Sequence, residues 1–346
     1  MALDRWGSIQ HLLRLGLIRP DDLVDGDLSA TAMASRNQLV RIERPGRPGF
    51  IIKQPKDASQ PDSATMWTEA ALFWLVANDP GFAPLARWMP RYHHYDPVQR
   101  TLTIEFVAPA PSLAEKLFGA GIEPAVAAEA GRVFATLHGP VSAAAQAGPA
   151  RGLFAAPLPW ALCIGFPDNR YVPATQASAS AVQAIVARPE AMAALAGVRS
   201  AWRGDRIIHG DAKAANLLIV EDGGVRLIDW EIACVGDPLW DIAGLIHSIL
   251  IPNPAASPEP LAQAQMRARP LVESIWRAYL AAAPSLPAGR DNPALLLAMT
   301  GARIFQTCLE SSHYGTFSAA LPPMLEMGIE LMARPQAARE RWQWAA

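Results

Sequence analysis

At 346 residues the chain exceeds what one hydrophobic core usually organises, so two lobes are expected. Hydrophobic residues make up 51% and charged residues 18%, which excludes a disordered or fibrous chain. The formal net charge of −2, with no polybasic run, argues against nucleic acid or an anionic membrane as a partner. Cys163, Cys234 and Cys308 are scattered and odd in number, so neither a disulfide framework nor a zinc knuckle is indicated, and a reducing cytoplasmic location is expected. The first residues carry Asp4 and lack an apolar core ahead of a small-residue cleavage site, so they do not read as a signal peptide. The longest apolar run, Leu239 to Ile251, is broken by Asp241 and His247 and is too short to span a bilayer.

Residues 8 to 17 have helical spacing. Gln38 to Glu43 alternates as a strand, Arg44 to Gly49 reads as a turn, and Phe50 to Lys53 returns as the partner strand, with Lys53 on the face of Ile51. Ala64 to Val76 is predicted helical, stopped by Asn78-Asp79-Pro80-Gly81, and places Met66, Glu69, Phe73 and Val76 on one stripe. Glu69 therefore interrupts an apolar face. A buried carboxylate needs a partner, and Lys53 is the candidate unless both groups sit at wet edges. Pro84 to Asp96 is a strand-turn region, and Thr101 to Val107 is a strand. The proline cluster Ala108-Pro109-Ala110-Pro111 marks a lobe boundary, giving an N-terminal lobe of residues 1–107 and a mainly helical lobe of residues 108–346, an α+β architecture. Ser112 with Glu115 makes a capping box. Pro124 to His138 is a helix ended by Gly139-Pro140, with His138 stabilised at its C-terminus by the dipole. Residues 141 to 200 offer no motif.

Residues 207 to 231, IIHGDAKAANLLIVEDGGVRLIDWE, hold most of the chemistry. Two apolar runs, Leu217 to Val220 and Val225 to Ile228, flank Glu221-Asp222-Gly223-Gly224, a hairpin loop by length and glycine content. If Val220 pairs with Val225, the register sets Asn216 opposite Asp229, at a Cα separation of about 4.5 to 5.5 Å. An amide oxygen beside a carboxylate suits a hard cation such as Mg²⁺. Asp211 and Lys213 lie just upstream, Lys213 being one of only four lysines with Lys53, Lys56 and Lys116. Singly, Asp211, Asn216 and Asp229 are equally consistent with turn formers or a strand-end cap; the ordered set and its hairpin carry the functional reading. Asp237 followed by Pro238 is a helix N-cap, and the helix runs to about Leu250 with Asp241 in its first turn, where a carboxylate favours the dipole. Residues 261 to 346 are helical with breaks near Pro284 to Pro287 and at Pro322-Pro323. Arg303, Glu310, His313 and Tyr314 are candidates to reach a substrate.

The run H-x-D-x-K-x-x-N, followed by an aspartate after an apolar strand, resembles the catalytic and metal-binding loops of protein-kinase-like phosphotransferases. His209-Gly210-Asp211 and Asp229-Trp230-Glu231 are more similar to the aminoglycoside phosphotransferase and choline kinase branch. The resemblance implies a two-lobed kinase-like fold and use of ATP (or GTP) with Mg²⁺. It implies Asp211 as the base toward an acceptor hydroxyl, Lys213 facing the transferring phosphate, and Asn216 and Asp229 as metal ligands. It implies Lys53 paired with Glu69 to hold the α- and β-phosphates, and adenine bonded to the backbone around Glu105 and Val107. Asp241, by the same resemblance, tethers the catalytic loop. The stretch Ser29 to Asn37 stands where protein kinases have a glycine-rich loop and has no glycine; Ser35 and Asn37 either donate to phosphate or form a turn. Lys213 also departs from the branch, many members of which carry histidine there, and matches serine/threonine kinases. Three readings follow: a kinase for a hydroxyl of a small molecule, antibiotic or metabolite; a kinase for serine or threonine of a natural-product precursor peptide; and a nucleotide-binding scaffold without activity. The last has no need of Asp211.

Overall fold

The computed structural model describes residues 3–24, 26–33, 37–56, 63–107, 110–117, 121–148, 150–253, 259–283, 286–313 and 320–343. The chain divides into two compact units, residues 1–111 with 218–233 and residues 112–217 with 234–346. The first crossing lies between Pro111 and Ser112. Residues 218–233, expected with the second lobe, belong to the first unit, where the Ile219 N–H donates to the Pro111 carbonyl at 2.9 Å.

The first unit is built on an antiparallel sheet of β1 (Ser29–Met33), β2 (Gln38–Arg44), β3 (Arg47–Gln54), β4 (Tyr92–Asp96) and β5 (Thr101–Phe106), in the order β1-β2-β3-β5-β4. Leu39 pairs with Lys53 and Lys53 with Leu102. Because side chains alternate along a strand, Val40, Ile42, Phe50 and Ile52 face one way, where Ile9 and Leu12 of helix α1 (Arg5–Arg14) cover them in one core cluster. Lys53 lies one position out of step with that set and belongs to the other face. The turn α2 (Asp21–Val24) precedes β1, and helix α3 (Ser63–Asn78) carries Glu69. The short strands β7 (Leu217–Ile219) and β8 (Val225–Leu227) form a separate hairpin closed by the Val220 N–H to the Gly224 carbonyl at 3.0 Å.

Two expectations for this unit change. Ser29–Met33 is an edge strand, not a loop, because its residues pair in register with β2 from Ser29 opposite Glu43 to Met33 opposite Leu39. The β7–β8 ladder does not reach Asn216 and Asp229: Asn216 ends a 3₁₀ turn (Ala214–Asn216), and Asp229 adopts left-handed backbone at φ 68°. An extended register cannot run through either conformation.

The second unit is helical: α4 (Leu113–Leu117), α5 (Pro124–Thr136), α6 (Ser142–Ala147), α7 (Gln176–Val186), α8 (Pro189–Ala201), α9 (Pro238–Leu250), α10 (Leu261–Ala282), α11 (Pro293–His313), α12 (Leu321–Ala333) and α13 (Pro335–Arg341). The strand β6 (Arg206–Ile208) pairs with β9 (Cys234–Gly236). Helix α9 is buried on nearly every side, with α10 and α11 packed against it. Ser112 closes α4 as a capping box, its N–H donating to Glu115 at 2.6 Å and its hydroxyl accepting from the Glu115 N–H at 3.2 Å. The Asp237 carboxylate caps α9 by accepting from the Leu239 N–H at 3.0 Å. Gly139 and Pro140 do not end the helix after α5. A π-turn over Leu137–Val141 carries the chain into α6, since a wider turn accommodates a proline ring that an α-turn would reject. Pro322 and Pro323 lie in the first turn of α12, where the missing N–H costs nothing. Among the described residues no single helix is long and apolar enough to cross a membrane; α7 and α8 pass only as a pair, bent by 88°.

Candidate active site

In the first unit, two periodicities bring Lys53 and Glu69 together: the strand turns Lys53 away from the α1-covered face, and the helix turns Glu69 inward. Lys53 Nζ donates to Glu69 Oε1 at 2.8 Å and Oε2 at 3.1 Å, and to Asp229 Oδ1 at 3.0 Å. Glu69 is fully buried and Lys53 nearly so. Burial alone would lower the lysine pKa, but the two carboxylates outweigh it and hold the ammonium above the ordinary lysine range. Asp229 reaches this position through its left-handed backbone, a conformation costly for a non-glycine residue and frequent at functional sites. Asn37 Nδ2 donates to Glu231 Oε2 at 2.7 Å, tying the start of β2 to the segment after Asp229. Ser35 lies outside the described residues. The Glu105 N–H donates to the Arg91 carbonyl at 2.9 Å, so that N–H is already committed within the protein. A cleft of about 820 Å³ is lined by Glu105, Phe106 and Val107 with Ser29, Arg44 and Val220; Lys53, Glu69 and Asp229 do not line it.

In the second unit, β6 delivers the chain to His209-Gly210-Asp211, and α9 holds the backbone there. Asp241 accepts from the His209 N–H at 2.7 Å and the Gly210 N–H at 2.9 Å. Gly210 sits at φ 83°, which requires a glycine at this sharp turn. Asp241 also lies 3.0 Å from His138 Nε2, and His138 Nδ1 lies 3.0 Å from the Tyr279 hydroxyl. A carboxylate only accepts, so Nε2 carries the proton in that contact. Burial opposes the charge on Asp241, yet these donors hold its pKa below the ordinary carboxylate range. The dipole position and the tether are one arrangement. His138, expected from the sequence as a helix C-terminal residue stabilised by the dipole, is fully buried between Asp241 and Tyr279.

Asp211 points its carboxylate at several donors. Lys213 Nζ lies 2.5 Å and Asn216 Nδ2 3.3 Å from Oδ2, Asn216 also bonds the Asp211 carbonyl at 2.9 Å, and Arg303 Nη2 lies 3.7 Å from Oδ1. The Asn216 amide nitrogen is thus committed to Asp211. Among the described residues no group of three or more His, Cys, Asp or Glu side chains could hold a metal alone. An amide oxygen is a ligand type that Mg²⁺ accepts, since it takes one or two protein oxygens and completes its shell with phosphate and water. Along α11, Gln306 Nε2 donates to Glu310 at 2.9 Å, and burial pushes the Glu310 carboxyl up from its ordinary pKa. His313 joins the rings of Trp160 and Tyr171, with centroids 5.6 and 6.0 Å away. Tyr314 lies outside the described residues. His138, Tyr279 and His247 were not legible as participants, and no local spacing could have found them.

His247 is fully buried on α9. Burial first, and then the charge of Arg303, lower its pKa to about 3. Its folded pKa lies below the unfolded value of about 6.5, so the unfolded chain binds the proton more tightly between those limits. The stability this neutral histidine allows is full above about pH 6.5 and falls as pH drops toward 3, by about 1.4 kcal/mol per pH unit inside the window. Glu310 works in the opposite direction. Urea unfolding of wild type and His247→Gln between pH 7 and 5 should show a shallower loss in the variant; parallel pH curves would contradict this assignment.

A family model described as the phosphotransferase enzyme family matches residues 33–288. No curated protein matches the sequence. Among solved structures, the choline/ethanolamine kinase family protein from Mesorhizobium loti is similar at 18% identity and TM-score 0.52, covering 96% of this chain and 95% of that one. Choline kinase from Cryptosporidium parvum Iowa II is similar at 13% identity and TM-score 0.55, covering 95% of each. Macrolide 2′-phosphotransferase MphH from Brachybacterium faecium is similar at 16% identity and TM-score 0.50, covering 94% of this chain and 99% of that one. At these identities the likeness shows the fold, which is protein-kinase-like.

Proposed function

This chain belongs to the phosphotransferase enzyme family, and on that footing we propose that it moves the γ-phosphoryl group of ATP or GTP, with Mg²⁺, to a hydroxyl of a small molecule. The observation that carries the reading is the Asp211 carboxylate, held on a loop that buried Asp241 tethers and contacted by Lys213 and Asn216. We assign Asp211 to orient the acceptor hydroxyl and take its proton as a new bond forms to the γ-phosphorus and the bond to the nucleoside diphosphate breaks. Lys213 is assigned to offset charge on the phosphoryl oxygens. Lys53, positioned by Glu69, is assigned to the α- and β-phosphates, and the backbone around Glu105 and Val107 to adenine. Asn37, and Ser35 by sequence position, are assigned to the phosphate side. Asn216 and Asp229 are assigned, by the sequence pattern, as protein ligands of the cation. Bound with the triphosphate, Mg²⁺ would supply neutralisation of the phosphate charge.

Neighbours named for choline and a macrolide favour a small acceptor. Lys213, where many relatives of this branch carry histidine, keeps a peptide hydroxyl as the second reading. ATP with Mg²⁺ should stabilise the wild type by about 2.7 kcal/mol at a hundredfold excess over Kd, and ATP with EDTA much less. Asp229→Ala should lose the metal-dependent part, and Lys53→Ala should bind more weakly. Equal stabilisation of wild type and Asp229→Ala would refute the metal role. Transfer from labelled ATP to pools of small alcohols and of serine-containing peptides separates the two acceptor classes, and no transfer to either would favour the scaffold.

A further inference from the structure

Arg303 is a charged residue buried in the middle of α11, a helix otherwise packed into the core of the second unit. Its guanidinium lies over the Trp240 ring, 5.1 Å from the centroid, and Nη2 comes within 3.7 Å of Asp211 Oδ1. The approach depends on a glycine in α9. A Cβ at Gly244 would fall 2.4 Å from the Ala212 carbonyl oxygen and 3.1 Å from Arg303 Nε, so any side chain there would press on both the arginine and the Asp211 loop. Asp211 thus meets cations on its two oxygens: Lys213 at Oδ2 and Arg303 at Oδ1. The first can rotate with the phosphate it serves, whereas Arg303 is fixed by Trp240 and by the α9–α11 packing.

We propose that Arg303 is a positioning residue for the base, holding Asp211 Oδ1 so that Oδ2 faces the acceptor, and that Gly244 is the gap through which it acts. The inference rests on the assignment of Asp211 as the base. Arg303 touches no phosphate or acceptor in this role; it restricts the rotation of the carboxylate. A base misplaced by about 1 Å loses on the order of 100-fold in rate, so truncating the guanidinium should lower turnover by about 10- to 100-fold with little change in the KM for ATP.

The test uses the full-length protein and Mg²⁺-dependent hydrolysis of ATP, with water as the acceptor, in wild type, Arg303→Met, Arg303→Lys, Asp211→Asn and the double variant Arg303→Met/Asp211→Asn. Turnover is expected to fall in Arg303→Met at unchanged KM and to recover in part in Arg303→Lys. It should fall no further in the double variant than in Asp211→Asn, because a residue acting through Asp211 has nothing left to position. Equal factors in the two backgrounds, or a rise in KM in place of the fall in turnover, would overturn the proposal. If Arg303→Met does not fold, Arg303→Lys and its double variant with Asp211→Asn carry the same comparison. If Asp211→Asn leaves hydrolysis unchanged, the assignment of the base has failed; if Asp211→Asn is slow and the Arg303 variants match wild type, only the positioning role has failed.

Discussion

Asp211→Asn should lower phosphoryl transfer by about 10²- to 10⁴-fold, the contribution typical of a positioned general base, which corresponds to roughly 3 to 5 kcal/mol of barrier. Asparagine keeps the side-chain volume and one carbonyl oxygen, so contacts from Lys213 and Asn216 can persist in part, but it cannot take the acceptor proton. The groups assigned to the nucleotide, Lys53 with Glu69 and Asp229, are untouched. Nucleotide affinity should therefore change little while turnover collapses. Stopped-time transfer assays beside calorimetric titration of ATP with Mg²⁺ measure the two separately. A variant that transfers phosphate at the wild-type rate would remove Asp211 from the chemistry, and a variant equally impaired in binding would make it part of the nucleotide site instead.

Asp241→Ala should destabilise the protein by about 3 to 5 kcal/mol, the order of cost expected when a buried acceptor is deleted and several buried donors lose their partner. The carboxylate is fully buried and receives the His138 ring, the His209 N–H and the Gly210 N–H. Alanine leaves all three donors without an acceptor in a site that water does not reach. A typical domain has about 5 to 15 kcal/mol in total, so the variant is expected near the edge of folding at 37 °C. Asp241→Asn preserves volume but turns one acceptor into a donor facing another donor, and should fall between wild type and Asp241→Ala. Urea unfolding followed by tryptophan fluorescence measures both, Trp230 and Trp240 being buried reporters. A loss below about 1 kcal/mol for Asp241→Ala would mean the loop backbone finds other acceptors.

Short-range rules made part of this protein legible before any fold was known. The Lys53–Glu69 contact came from a strand period of two and a helix period of 3.6, which placed both charges on inward faces before any partner was known. The Ser112–Glu115 box and the Asp237 cap were legible because a side chain reaching its own backbone needs only three or four residues. The ordered run from His209 to Glu231 carried the family for the same reason: its residues are close in the chain. Tertiary structure decided the rest. His138 meets Asp241 across 103 positions and Tyr279 across 141, and nothing in the spacing of either residue announces that α5, α9 and α10 pack together. Asp229 left the expected ladder because a left-handed turn aims it at Lys53, which a period-two register cannot foresee. Arg303, a candidate from the sequence to reach a substrate, is buried, and only the close approach at Gly244 shows where its charge goes. Local periodicity determines which face a residue occupies; the packing of distant elements determines what that face meets, and the contacts around Asp211 and Asp241 are set there.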